Sequence, residues 1–415
     1  MDRAADGRRL PITPSAAPAR RRLPLTAEPR GIDRAVRPVY AVWELTLACD
    51  QACRHCGSRA GRARPDELST AECLDLVRQL AELTVSEVVL IGGEAYLRDD
   101  WLEIVRALHD ARIACSMTTG GRGLDHALAR EAKAAGLGAV SVSVDGLEAT
   151  HDHLRASKGS FRAALRALDA AREAGLRVHA NTQINQKNLG ELPSVYELLR
   201  DRGAKAWQVQ LTAAMGRAAD EPGLLLDPWQ VLVVHPILAE LADRGEAEGL
   251  RMWTGNNVGY FGPFEHKLRR YLPGQHMSPC GAGRSALGIE AHGDIKGCPS
   301  LPSEAYVGGN VRDARLVEIW ERSRELRFTR DRTVEDLSGF CRTCYYAEDC
   351  LAGCNWTTHV AFGRPGDNPY CHHRASTLKA KGKRERIERR VEAPGAPFDH
   401  GLFEIVLEGW LDDPA

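Results

Sequence analysis

Three thiols fall within eight residues in Cys49-Asp50-Gln51-Ala52-Cys53-Arg54-His55-Cys56, directly after the apolar run Tyr40 to Leu47. Four thiolates ordinarily hold a four-iron cluster. A CxxxCxxC triplet with no fourth cysteine nearby leaves one iron without a protein ligand, and an open iron invites a small molecule. Zinc is the plain alternative. Its knuckles draw on CxxC or CxxH pairs that add up to four ligands, which a triplet does not supply.

A second field of seven cysteines runs from Cys280 to Cys371. It reads Cys280, then Gly293-x4-Cys298, then Cys341-x2-Cys344-x5-Cys350-x3-Cys354, then Cys371. Zinc ribbons do not need so many thiols. The two remaining cysteines, Cys73 and Cys115, fall in an expected helix and an expected strand and read as small apolar core residues.

Six strand-like runs must position this chemistry: Tyr40–Leu47, Glu87–Gly92, Ile113–Thr119, Ala139–Asp145, Arg177–Ile184 and Lys205–Leu211. Amphipathic helical stretches alternate with them near 70–83, 100–111, 125–135, 160–174, 190–202 and 228–244. Ser69-Thr70-Ala71-Glu72 opens the first helix with a capping box, and Asp227-Pro228 opens the last. Strands alternating with helices of this length predict right-handed βαβ units and a parallel sheet. Six units make a partial (β/α)6, TIM-like barrel of α/β class, and function in such sheets sits at the strands' C-terminal ends.

Those ends carry chemistry-bearing residues. The first leads into the cysteine triplet. The second ends in Gly92-Gly93-Glu94, where glycines permit close backbone approach and a carboxylate can accept from an ammonium group. The fourth ends in Ser143-Val144-Asp145-Gly146, followed by His151-Asp152-His153-Leu154-Arg155. For Asp145 a structural role and a ligand role are equally open. Asn181 and Gln183 end the fifth strand on the side expected to face the pocket.

The triplet, the GGE a strand later and the seven-cysteine spacing together resemble the radical S-adenosylmethionine (SAM) enzymes that carry a C-terminal SPASM extension. The likeness spans roughly residues 38–375. It implies that Cys49, Cys53 and Cys56 hold a 4Fe–4S cluster whose open iron binds the amine and carboxylate of SAM. His55 fills the family's aromatic position. The resemblance further places Gly92, Gly93 and Glu94 at the SAM amine, Ser143 and Arg155 at its carboxylate and ribose, and Met215-Gly216-Arg217-Ala218 beside the adenine. It implies two auxiliary four-iron clusters as well, one on Cys280, Cys298 and Cys354 and one on Cys341, Cys344, Cys350 and Cys371, three clusters in all. Ala95 stands where the family writes proline after the glutamate.

Composition narrows the setting. A formal net charge of −1 argues against nucleic acid as partner. No signal core and no run of ~18 apolar residues is evident, so neither secretion nor a membrane span is expected. Twelve cysteines without a signal point to metal chemistry in the reducing cytoplasm. The expected domains are a basic, disordered arm over 1–38, the radical SAM barrel over 39–245, a bridging region over 246–279, the SPASM domain over 280–375, and a basic helix with a C-terminal tail over 376–415. The arm holds nine arginines, four acids and six prolines. The glycine- and aromatic-rich stretch Gly255 to Phe264 in the bridge can line a peptide-binding cleft or pack the two domains together, and packing is the role expected first.

The resemblance implies reductive cleavage of SAM to a 5′-deoxyadenosyl radical, which abstracts hydrogen from substrate. Many SPASM enzymes modify ribosomally made peptides, so a precursor peptide is the leading substrate. A separate leader-binding protein and an external flavodoxin- or ferredoxin-type electron donor are the expected partners. Sulfatase-maturing relatives place an aspartate after the second extension cysteine; here Pro299 follows Cys298, which counts against that activity. A tetrapyrrole or other small-molecule substrate is the alternative. A non-catalytic electron-transfer protein is the reading of a different class, and it would have no need of Glu94 or Arg155 at strand ends.

Overall fold

All six expected runs form strands in the computed structural model, which describes Leu25 and residues 28–410. They are β1 (Tyr40–Glu44), β2 (Glu87–Ile91), β3 (Ala114–Thr119), β4 (Ala139–Ser143), β5 (Arg177–Ile184) and β6 (Ala206–Leu211). Consecutive strands pair in parallel from β1 through β6. Helices Thr70–Glu82, Trp101–Asp110, His126–Ala134, Ser160–Glu173, Leu192–Asp201 and Val231–Glu248 make the crossovers, within a residue or so of expectation except around the last, where a 3-10 turn precedes the helix. The Ser69 box forms as read: the Ser69 amide donates to Glu72 Oε2 at 2.8 Å.

Side chains alternate across this sheet. Ala41 and Trp43 of β1, with Leu45 just past its end, join Val88 and Leu90 of β2 and Val140 and Val142 of β4 in the main core beneath the helices. The opposite, concave face therefore takes the intervening residues.

Two further strands extend the partial barrel. β7 (Arg251–Thr254) pairs in parallel with β6, within a stretch expected only to bridge domains. Four residues give too short a pattern for its pairing to show in sequence. β8 (Ala286–Ile289), inside the cysteine-rich region, pairs in parallel with β1 on the other side. β9 (Asp294–Lys296) and β10 (Gly309–Asn310) follow antiparallel, giving one ten-stranded sheet with β10 and β7 at its edges.

The C-terminal region departs from expectation. The basic stretch from His372 to Val391 is not one helix: the helix covers His372–Lys379, Gly382 at φ +67 turns the chain, and β11 (Lys383–Val391) pairs antiparallel with β12 (Leu402–Gly409). The partner strand lies beyond any local window. Arg374 fixes the corner by donating to both oxygens of buried Glu385, at 2.8 and 2.7 Å.

The end of the expected disordered arm is also built in. Gly31–Ala35 is helical, and the fully buried Asp33 pairs with Arg30, Arg327 and Arg330 at 2.8, 2.9 and 3.1 Å. Burial of that carboxylate against three arginines holds the segment down. Most of the arm lies outside the described residues.

Among the described residues one stretch, Pro222–Glu248, is long and apolar enough by length and composition to cross a membrane, although it is no unbroken apolar run, and 56% of its most apolar part is buried inside the fold. Its helix packs on β7 and on helices Leu192–Asp201 and His372–Lys379, which is the environment of a core helix.

Candidate active site

The cysteine loop leaves β1 and is held as a backbone structure before any ligand is considered. The Cys49 amide donates to Gly61 O at 3.0 Å and the Arg54 amide to Leu154 O at 2.8 Å. Arg217 grips the loop from the sixth strand's exit: its Nε donates to Cys53 O at 2.7 Å, its Nη2 to Ala60 O at 3.1 Å, and its amide to Cys56 O at 3.0 Å. Arg217 stands in the stretch expected at the adenine, and the clamp on the cysteine loop is a role the sequence does not display.

The glycines of Gly92-Gly93-Glu94 serve that loop too. The Gly93 amide donates to Thr46 O at 2.7 Å and the Glu94 amide to Ala48 O at 2.8 Å. A Cβ on Gly93 would sit 1.9 Å from Ala48 O and 2.7 Å from Cys49 Cβ. Space at these glycines is taken by the protein's own backbone rather than reserved for a ligand, which corrects the physical reason given for them above. Glu94 is buried, accepts from Thr119 Oγ1 at 2.5 Å and from the Gly120 amide at 2.7 Å, and burial pushes its carboxyl up to about 7.

His55, Asp145, Arg155 and Cys53 form one contact chain. His55 Nε2 lies 3.2 Å from Asp145 Oδ2, Arg155 Nη2 donates to that same oxygen at 2.5 Å, and Arg155 Nη1 stands 3.6 Å from Cys53 Sγ. Burial alone would raise the Asp145 carboxyl, but Arg155 and then His55 outweigh it and hold it well below the usual carboxylate range. Arg155, expected at the SAM carboxylate, thus spends both terminal nitrogens on the protein. Ser143 is buried at the end of β4 beside Asn181.

The fit to a three-cysteine cluster with SAM shows in what remains unpaired around it. The thiols of Cys49, Cys53 and Cys56 lie in one another's electrostatic reach, and burial pushes Cys49 up to about 12. Among the described residues, Arg155 Nε, Gln51 Nε2, His55 Nδ1 and Asp50 Oδ1 are buried without a partner. Donors and an acceptor are therefore left over beside the triplet, beside Glu94. That is the complement an amino-acid ligand requires.

The second cysteine field forms two groups in space, and Cys354 lies by Cys280 and Cys298 although Cys350 is its neighbour in sequence. Burial, and then the charges of Cys280 and Cys298, raise the Cys354 thiol. Burial, and then Cys371, Cys341 and Cys344, raise Cys350, and all four line one cavity walled by Phe261, Phe340, Tyr346 and His373. Tyr260, from the bridging stretch, stands between the two sets: its hydroxyl accepts from the Cys354 amide at 2.9 Å and its carbonyl from Cys371 Sγ at 3.5 Å. The bridge therefore packs domains, as expected. Cys73 and Cys115 are buried in the main core, away from both fields.

Register defines the concave face above β4 to β7. Ser143, Asn181, Gln208 and Trp253 stand side by side, and Gln183 lies beside Gln210 one step further along. The C-terminal halves of these strands present no charged side chain on that face.

Two contributors to the site wall were not legible in sequence. The turn between β11 and β12 seats Phe398 in a cluster with Ala213, Met215 and Val360. Asp399 takes Arg59 Nε at 2.7 Å, and its carbonyl accepts from the Gly216 amide at 2.8 Å, so the C-terminal hairpin leans on the cysteine loop. The other contributor is Glu44, 2% exposed, whose Oε2 has no partner and whose neighbours are Arg64, Glu290 and the fully buried Lys296. Lys296 Nζ lies 2.7 Å from Glu290 Oε1. This group ties β1 to the hairpin of β8 and β9.

Comparison with known proteins matches residues 43–199 to the radical SAM superfamily and residues 280–345 to SPASM, an iron–sulfur cluster-binding domain. The chain is 30% identical over 353 residues to the mycofactocin maturase MftC of Mycobacterium ulcerans, covering 83% of this chain and 91% of that protein. It is 28% identical over 351 residues to the AdoMet-dependent heme synthase of Methanosarcina barkeri, covering 81% of this chain and 97% of that protein. Streptococcus suis SuiB bound to precursor peptide SuiA shares the fold, with a TM-score of 0.60 at 15% identity over 81% of this chain and 75% of that one.

Proposed function

This chain belongs to the radical SAM superfamily and carries a SPASM iron–sulfur domain, and from that membership we propose that it is a cytoplasmic maturase of a ribosomally made precursor peptide. The chemistry supplied by cluster and SAM is one-electron cleavage of a carbon–sulfur bond, yielding the adenosyl group that removes a hydrogen atom from substrate. The chain's residues bind, orient and exclude water. Cys49, Cys53 and Cys56 hold the cluster, with Arg217 and Gly93 fixing the loop that bears them. Glu94 would accept from the SAM ammonium, and the unpartnered Arg155 Nε would donate to its carboxylate. Ser143 faces the ribose, Met215 and Gly216 border the adenine, and His55 braces the loop through Asp145.

Two auxiliary clusters are part of this reading, on Cys280, Cys298 and Cys354 and on Cys341, Cys344, Cys350 and Cys371. The barrel over 39–245 and the extension over 280–375 act as the two working domains, joined by 246–279. An external flavodoxin- or ferredoxin-type protein supplies electrons, and a separate protein presents the leader peptide.

The observation that carries the peptide substrate is the row of uncharged polar side chains that the C-terminal halves of β5 and β6 present on the concave face. Asn181, Gln183, Gln208 and Gln210 offer donors and acceptors suited to peptide amides. A tetrapyrrole carries several carboxylates and calls for cations opposite them. The heme synthase relative keeps the tetrapyrrole as the second reading. The test is anaerobic reconstitution followed by SAM, reductant and a candidate ribosomally made precursor peptide. Peptide-dependent release of 5′-deoxyadenosine with a changed peptide mass is expected. No coupling, with or without a leader-binding partner, together with coupling to an added tetrapyrrole, refutes the peptide reading.

A further inference from the structure

Arginine beside a cluster sulfur poses a problem that this fold solves with Asp145. A hydrogen bond to a cluster sulfur and a nearby positive charge both favour the reduced cluster, raising its potential. A cluster that must deliver an electron to SAM has to stay strongly reducing. Arg155 nonetheless places Nη1 3.6 Å from Cys53 Sγ, in a site where the arginine is 9% exposed and water screens little.

Asp145 sits directly behind that guanidinium, and nearly every polar atom it has is engaged. Its Oδ2 takes Arg155 Nη2 and faces His55 Nε2, its Oδ1 accepts from the Gln183 amide at 2.9 Å, its amide donates to His151 Nδ1 at 3.1 Å, and its carbonyl accepts from Asn188 Nδ2 at 2.9 Å. Three segments of the chain, at residue 55, residues 151–155 and residues 183–188, thus fix this fully buried residue by its carboxylate and its backbone. A carboxylate needed only to orient Arg155 would not require this much fixing.

We propose that Asp145 is a charge-compensating positioning residue: paired with Arg155, it lets a hydrogen bond reach the Cys53 sulfur without a net positive charge beside the cluster, and so keeps that cluster's potential low. The pair is neutral as a unit while the donor geometry persists. This inference rests on the cluster assignment proposed above for Cys49, Cys53 and Cys56.

Opposite signs make it testable. In the full-length reconstituted protein, the cluster with the open iron is recognised by the electron paramagnetic resonance signal that changes shape when SAM is added. That signal is followed in a potentiometric titration without SAM, for wild type, Asp145→Asn, Arg155→Gln and the double variant. Asp145→Asn is expected to move the midpoint to more positive potential and Arg155→Gln to more negative potential, with the double variant returning toward wild type. Shifts in the same direction, or none, overturn the proposal. Loss of geometry alone would not give opposite signs.

Should Asp145→Asn fail to hold iron, Arg155→Gln against the charge-keeping Arg155→Lys carries the test. A lowered potential in the first and a near wild-type one in the second is expected, and equal potentials in both overturn the proposal. Absence of any SAM-responsive signal in the iron-loaded wild type would instead overturn the cluster assignment beneath it.

Discussion

Substitution of Gly93 by alanine tests whether this glycine exists to let the β2 exit close on the cysteine loop. The added Cβ would lie 1.9 Å from Ala48 O, and real Cβ atoms essentially never approach closer than 3.0 Å, so the two segments must part by about 1 Å. That movement falls on Ala48 and on Cys49, whose Cβ would be 2.7 Å away. Overpacking of this kind costs ~1–3 kcal/mol of stability. A misplacement of about 1 Å in a catalytic constellation costs on the order of 100-fold in rate. The expected outcome for Gly93→Ala is a folded protein with a lowered iron content and SAM cleavage reduced by about two orders of magnitude. Gly57→Ala is the matched control, because its Cβ would meet only Met215 Sδ at an ordinary 3.6 Å. The assay is iron per chain after anaerobic reconstitution, 5′-deoxyadenosine release with reductant, and thermal unfolding. A Gly93→Ala protein that loads iron and cleaves SAM like the Gly57→Ala control would refute the reasoning.

Three further outcomes are expected. Replacing Cys298 or Cys344 by alanine should each remove about four of about twelve irons per chain, while Cys73→Ser leaves the count unchanged; equal loss from all three would dissolve the partition of thiols. Asp399→Ala breaks the Arg59 pair between the C-terminal hairpin and the cysteine loop and should cost ~1.5–3 kcal/mol, read by denaturant unfolding, with Arg59→Ala showing a similar loss. Burial and then the Glu290 charge push the Glu44 carboxyl up from 4.5 to about 8. The stability it contributes is fully present below its unfolded value and is lost as pH rises through about 8, so Glu44→Gln should flatten the fall in unfolding temperature from pH ~5 to ~9. A wild-type fall that persists in the variant assigns the dependence elsewhere.

Local chemistry made a large part of this protein legible. Ligand spacing is a property of adjacent residues, so Cys49, Cys53 and Cys56 were recognisable as a unit, whereas the grouping of Cys354 with Cys280 and Cys298 rather than with its sequence neighbour Cys350 does not follow from spacing and is made by the fold. Six strand and helix alternations followed from periodicity and caps, because burial of one face imposes its pattern over a window of a few residues. What the sequence withheld depends on partners far apart in the chain. β7 and β8 are four residues each and become strands by docking on β6 and β1. Lys383–Val391 reads as helix until Leu402–Gly409 pairs with it. Arg155 was identified as a site residue, yet its task changes once Asp145 from the end of β4 and Cys53 from the cysteine loop converge on it, with His55 bound to the same Asp145. Residue type and spacing determined which groups this chain brings to its chemistry. Tertiary structure alone decided how their charges balance, because a buried charge takes its meaning from the neighbours that compensate it.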